Sequence, residues 1–229
     1  MRITILANSL PAALSVYDEA KNVKGNDVFI LLFPAGEGVQ GIAKHLARLI
    51  LKSERLRSLQ LIARGKVKFF RRPLDHPEEL SRLKSLNPDI GLHKSGTIYR
   101  EPTINCFRLG ILNAHIGILP RYRGRSVMEW SLVEGSPVGV SVFFIDAGID
   151  TGERIVLSEE VDISRCKTIV EAKQYLFNLD ATFYRRALEL LTFGDLTYQK
   201  NDVSGPRYYV MSRLFQDVAE ECLVEGNRQ

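Results

Sequence analysis

Cysteine is scarce in this chain. The three present, Cys106, Cys166 and Cys222, are odd in number and widely separated, which excludes a disulfide framework and a cysteine zinc site. Long apolar runs are also missing. The stretches 28–33 and 138–145 are strand-sized, far below the roughly 20 residues a membrane-spanning helix needs. The opening Met1-Arg2-Ile3-Thr4-Ile5-Leu6 has too short an apolar core for a secretion signal and reads directly as a first strand, so a cytoplasmic protein with no membrane attachment is expected. No internal repeat, low-complexity tract or Pro/Gly/Ser linker interrupts the chain, so one domain is expected over 1–229, with a helical C-terminal tail from about 204. His45, His76, His93 and His115 show no ligand spacing with carboxylates or cysteines, and no metal is expected.

What is present is a soluble composition, 45% hydrophobic and 25% charged, with a net charge of +4. The positive charge is concentrated between Lys44 and Arg72, where Lys44, Arg48, Lys52, Arg55, Arg57, Arg64, Lys66, Lys68, Arg71 and Arg72 face a single acid, Glu54. Lys44, Arg48, Lys52 and Arg55 recur at helical spacing opposite Leu46, Leu49, Ile50 and Leu56, as the solvated face of an amphipathic helix does. The other use of such a face is contact with phosphate or nucleic acid.

Periodicity predicts strands over 2–7, 27–33, 66–70 and 89–92, alternating with helices over 11–24, 39–57 and 77–86. Alternation of this kind needs crossover connections, so it predicts a Rossmann-like α/β fold, three-layered, with a mostly parallel sheet between helices. Further strands are expected over 109–115, 138–145 and 154–157, with a helix over 125–133. A long helix over 167–191 places Ile169, Ala172, Leu176, Leu179, Phe183, Ala187 and Leu190 on one stripe, closed by Gly194 as C-cap. A short strand around Tyr208 and Tyr209 precedes a polar final helix. Gly36-Glu37-Gly38-Val39-Gln40-Gly41 spells a dinucleotide fingerprint, but it follows the second strand, and the turn after the first, Asn8-Ser9-Leu10-Pro11, has no glycine. Nicotinamide binding is rejected on that ground.

The chemistry is concentrated in two segments, 110–124 and 143–152. Asn113 and His115 stand two apart at the end of an apolar strand, so both side chains face one side of the sheet, where open α/β sheets bind ligands. Asp146-Ala147-Gly148-Ile149-Asp150-Thr151-Gly152 has the short polar and glycine residues of a compact loop that can bring a carboxylate beside them. Together the three suit acyl transfer to an amine. The Asn113 amide can donate to a tetrahedral oxyanion, His115 can donate a second hydrogen bond or pass a proton to the leaving nitrogen, and Asp150 can orient His115 and take the amine proton. Each residue alone also fits a bland role, Asn113 and Asp150 as turn residues and His115 as a satisfied half-buried histidine.

Asn-x-His followed by Leu-Pro, then Asp-x-Gly-x-Asp-Thr-Gly, resembles the signature of formyltransferases dependent on 10-formyltetrahydrofolate, most closely over 109–155. Pro120-Arg121-Tyr122-Arg123-Gly124 is similar to the Pro-Arg-Trp-Arg-Gly of the methionyl-tRNA enzymes, and Phe33-Pro34-Ala35-Gly36 to their loop after the second strand. The resemblance implies an enzyme in one-carbon metabolism, with Asn113, His115 and Asp150 as its catalytic triad. It implies that the pteridine of the formyl donor lies against Ser95, Gly96, Thr97, Ile98 and Tyr99 and against Ile145, Asp146 and Gly148, with Leu119 and Pro120 shaping the wall.

Departures from the pattern concern the acceptor. Gly117 replaces a frequent serine, His93-Lys94 replaces an apolar pair, and the first turn lacks the phosphate loop of glycinamide-ribonucleotide enzymes. Glu37 sits in a loop that tends to be basic in the tRNA enzymes, and the stretch after Leu191 is too short for their C-terminal barrel. A small-molecule amine, such as an amino-sugar nucleotide, is the expected acceptor. The alternatives are a hydrolase that uses water, and a non-catalytic relative that binds nucleic acid through the basic face.

Overall fold

The computed structural model describes residues 1–34, 55–148, 150–194, 196–202 and 205–226. The glycine-rich motif at 36–41, Glu37, and Lys44, Arg48 and Lys52 of the basic face lie outside them.

An eight-stranded sheet organises the described residues, in the order β3-β2-β1-β4-β5-β7-β8-β9. Its first five strands, β3 (Val67–Phe69), β2 (Asp27–Leu32), β1 (Arg2–Ala7), β4 (Ile90–Lys94) and β5 (Gly110–His115), are parallel. β7 (Gly139–Phe144), β8 (Arg154–Glu160) and β9 (Gln199–Lys200) continue it antiparallel. A second parallel pair joins β6 (Arg123–Gly124) to β10 (Arg207–Tyr208). The mostly parallel α/β fold expected from the alternation is what forms.

The period-two pattern divides the core into two layers. Ile3, Ile5, Leu92 and Leu112 pack with residues of α1 (Leu10–Asn22) and α6 (Ile169–Phe193), among them Ala13, Leu14, Leu176 and Phe183. Leu6, Leu31 and Ile111 point to the other face, against Leu83 of α3 (Pro77–Ser85) and against Cys106 and Phe107, which follow α4 (Glu101–Ile104). Strands buried on both faces read as near-continuous apolar runs, as β1 and β2 do. α2 (Arg55–Ala63), α5 (Val127–Val133) and α7 (Arg213–Gly226) complete the described helices. None of the described helices is long and apolar enough to cross a membrane.

Several boundaries differ from expectation for local reasons. The fourth strand runs on to Lys94 because β1 keeps pairing with it, Leu6 against His93 and Ala7 against Lys94. β8 extends to Glu160 along β7. The expected helix over 39–57 lies mostly outside the described residues, and α2 starts at Arg55 and continues to Ala63. Leu190, placed on the buried stripe of the long helix, is 38% exposed near its end. Gly194 caps that helix through its N–H on the Leu190 carbonyl, with extended rather than left-handed backbone. The final helix starts at Arg213, after β10 has paired with β6.

Candidate active site

The sheet order reverses between β1 and β4, and the crevice beyond the carboxyl ends of β4 and β5 is where such a sheet leaves room for a ligand. Asn113 and His115 occupy the end of β5. Asn113 pairs with Phe143 and His115 with Ser141 across the antiparallel ladder to β7. The chain leaving β7 returns as β8, and Asp150, in the connection between them, stands beside His115 at the end of β5.

His115 is 8% exposed, and its Nε2 lies 2.8 Å from the Tyr122 carbonyl. A carbonyl only accepts, so Nε2 carries the proton and Nδ1 is the nitrogen left for chemistry. Nδ1 stands 3.7 Å from Oδ1 of Asp150, too far for a direct hydrogen bond. The other carboxylate oxygen of Asp150 accepts the Gly124 N–H at 3.0 Å. Asp146, which the resemblance places against the donor, instead holds its own loop closed: its Oδ1 accepts from the Gly148 N–H at 2.9 Å and from the Thr151 hydroxyl at 2.6 Å. It does not line the adjoining cavity.

Asn113 lines two cavities. The smaller, about 180 Å³, is lined by His93, Gly96, Thr97, Ile98, Tyr99, Asn113, Phe143, Ile145, Gly148 and Asp150. The larger, about 460 Å³, begins at Asn113 and His115 and runs past Arg125, Ser126, Glu129, Lys173, Phe177 and Gln216. Gly96, Thr97, Ile98, Tyr99, Ile145 and Gly148 are thus brought together with Asn113 and Asp150. Ser95 stands behind this wall, its hydroxyl 3.0 Å from the Tyr99 hydroxyl and accepting from the Thr97 N–H at 3.3 Å.

Leu119 and Pro120 do not line the smaller cavity. Leu119 is 1% exposed and packs with Phe143 and Ile155 beneath it, because the Ser141 hydroxyl accepts the Leu119 N–H and donates to the Gly117 carbonyl, drawing the loop inward.

The His93-Lys94 pair splits by the parity of a strand. His93 joins the wall of the smaller cavity, its Nδ1 2.9 Å from the Tyr99 hydroxyl. Burial, assisted by the adjacent Lys94 charge, pushes the imidazole down to about 4, so it is neutral near pH 7. Burial likewise pushes the Tyr99 phenol up. Lys94 turns to the opposite face and pairs with Asp180 of α6 at 2.5 Å. Burial raises the Asp180 carboxyl, against the lowering pull of that lysine.

Three contributors escaped the sequence reading. Tyr184 of α6 hydrogen-bonds the main chain of both β4 and β5, the Gly124 N–H holds Asp150, and Asn201 hydrogen-bonds the Asp150 loop. The partners lie 70, 26 and 51 positions apart, so no local motif signals them.

The formyl transferase family profile matches residues 1–188. The chain belongs to the formyl transferase family. It is 31% identical over 120 residues to a methionyl-tRNA formyltransferase of Clostridioides difficile, an alignment covering 52% of this chain and 38% of the relative. The chain thus spans less than half the length of that curated relative. Among solved structures it resembles glycinamide ribonucleotide transformylase 1 of Symbiobacterium toebii, with a TM-score of 0.63 at 20% identity over 88% of this chain and 94% of that one. It also resembles a formyltransferase of Anoxybacillus kamchatkensis, solved with a UDP-4,6-dideoxy-4-formamido sugar and tetrahydrofolate, with a TM-score of 0.56 at 18% identity over 100% of both chains. Those two likenesses establish the fold.

Proposed function

We propose that this chain is a cytoplasmic formyltransferase that moves the formyl group of 10-formyltetrahydrofolate to a primary amine on a small polar molecule. The observation that carries the reading is the place of Asn113, which lines both cavities, with Asp150 on the smaller and His115 on the larger. Two substrates bound in the two cavities would meet at the Asn113 amide.

The smaller cavity fits the head of the donor. Phe143, Ile145 and Ile98 supply apolar surface for a flat ring, and Gly96 puts no side chain between its main chain and the polar edge. The donor supplies an activated formyl carbon on nitrogen, and the protein supplies position and proton transfer. The Asn113 amide donates to the formyl oxygen as charge builds on it. An amine is protonated near neutral pH and must lose a proton before it can attack. Asp150 and the free Nδ1 of His115 form the pair that takes that proton, and His115 returns one to the departing nitrogen. The Nε2 contact with Tyr122 holds the ring in the required orientation throughout.

The larger cavity favours an amine acceptor over water. Its 460 Å³ and its mixed lining of Arg125, Glu129, Lys173 and Phe177 suit a small polar molecule with an apolar portion. The nucleic-acid alternative finds less support among the described basic residues. Arg57 pairs with Asp18, Lys66 with Asp27 and Arg72 with Glu78.

Incubation with isotopically labelled 10-formyltetrahydrofolate and a panel of amino sugars, amino-sugar nucleotides and amino acids tests the reading. The expected result is a labelled formamide on one acceptor class, abolished in Asn113→Ala. Release of formate at one rate with or without any amine would identify a hydrolase instead.

A further inference from the structure

The family match ends at residue 188, yet the segment beyond it reaches into the site. β9 adds to the edge of β8, with Lys200 opposite Arg154. The next residue, Asn201, is 3% exposed, and its side-chain NH2 donates to the carbonyls of Asp150 and Gly152, each at 3.0 Å. Its own N–H donates to the Glu153 carbonyl at 3.0 Å, so its backbone is fixed as well. Asp150 has φ +53°, a left-handed conformation uncommon for residues with a Cβ and most accessible among them to Asp and Asn. Asn201 thus holds the main chain at Asp150 itself and at Gly152 and Glu153 just after it.

The same segment fixes the other end of Asp150. β10 pairs with β6, aligning Tyr208 with Gly124, and the Arg125 N–H donates to the Tyr208 carbonyl at 3.1 Å. Gly124 has φ +113°, and a Cβ there would lie 2.2 Å from the Tyr208 oxygen, so only glycine allows this approach. The Gly124 N–H is the donor to the Asp150 carboxylate.

We infer that Asn201 is a positioning residue for Asp150, and that Asn201 and β10, both beyond the family match, form part of the active site by setting where the Asp150 carboxylate stands relative to His115. This role in turnover rests on the formyl-transfer reading; the structural half does not.

The test uses the full chain with Asn201→Ala, with Asn201→Val, a neutral side chain of similar size without the NH2 donor, and with Lys200→Ala as an exposed neighbour control. The amide resonance of Gly124 reports its hydrogen bond to Asp150 without any substrate. Both Asn201 variants are expected to move it upfield, with at least about tenfold faster amide exchange. They are also expected to lower kcat about 30-fold or more, since small misplacements of reacting groups are costly, with KM for the formyl donor within about threefold. Lys200→Ala is expected to change neither. A native Gly124 resonance in the Asn201 variants would overturn the inference, as would a shifted resonance with kcat unchanged. A native chain inert towards every amine would overturn the formyl-transfer reading, while the Gly124 resonance would still decide whether Asn201 places Asp150.

Discussion

The Tyr184 hydroxyl accepts the main-chain N–H of Ala114, the residue between Asn113 and His115, at 3.0 Å. The same hydroxyl donates to the His93 carbonyl at 2.6 Å. The β4–β5 ladder has its last pair at Leu92 and Leu112, and beyond it the strands part to open the crevice. Tyr184, fully buried on α6, bridges them where their own hydrogen bonds stop. Tyr184→Phe therefore leaves a buried N–H and a carbonyl unpaired. The expected result is a loss of about 1–3 kcal/mol in denaturant unfolding and a fall in kcat of about tenfold or more, because Asn113 and His115 share the released peptide segment. Unchanged turnover would limit Tyr184 to the core.

Asp150→Asn separates chemistry from architecture. Asparagine tolerates the left-handed backbone of position 150 and can still accept the Gly124 N–H, but it cannot take a proton. Turnover is expected to fall by about 10²–10⁴-fold with little change in thermal midpoint, measured by steady-state kinetics and calorimetry. Near-native turnover would remove Asp150 from the proposed proton transfer.

Gly117 sits against the contact that fixes the His115 ring. A Cβ at this position would lie 2.7 Å from the Tyr122 carbonyl oxygen and 2.8 Å from His115 Nε2, the two atoms of that hydrogen bond. Gly117→Ala must push them apart, at a cost of about 1–3 kcal/mol in stability. A crystal structure of the variant is expected to show the Nε2 contact lengthened, and kinetics a lower kcat. An undisturbed ring would show that the 117–122 loop yields instead.

His93 predicts a pH dependence of stability. Its folded value of about 4 lies below the usual 6.5, so the unfolded chain binds a proton between these values while the folded chain does not. The contribution is fully present above pH 6.5 and is lost as pH falls through about 4. The integrated effect is roughly 3 kcal/mol. Denaturant unfolding between pH 4 and 7 is expected to show a flatter dependence in His93→Gln than in the native chain. Parallel curves would mean that His93 titrates normally.

The parts of the fold that follow from local periodicity were legible in the sequence. The apolar opening from Ile3 to Leu6 marked a first strand, and the two-residue spacing of Asn113 and His115 placed them on one side of β5. Contacts made at a distance were not legible. Nothing near Asn201 or Tyr184 shows that one holds the Asp150 loop and the other the Ala114 peptide, since each partner arrives from a separate element. The packing of Leu119 was not legible for a related reason. Its position beneath Phe143 depends on Ser141, a hydroxyl on the neighbouring strand, catching the loop.

The central claim is that the cavity between the 95–99 and 145–150 loops takes the formyl donor, and calorimetric titration with a stable 5,8-dideaza analogue of 10-formyltetrahydrofolate tests it most directly. Gly96 has open space around its α-carbon, so Gly96→Trp can place a bulky ring at the cavity wall without a forced clash. Saturable binding at one site, weakened at least about tenfold by that substitution, corresponding to about 1.4 kcal/mol, is the predicted result. No binding to the native chain, or binding indifferent to Gly96→Trp, would contradict the account.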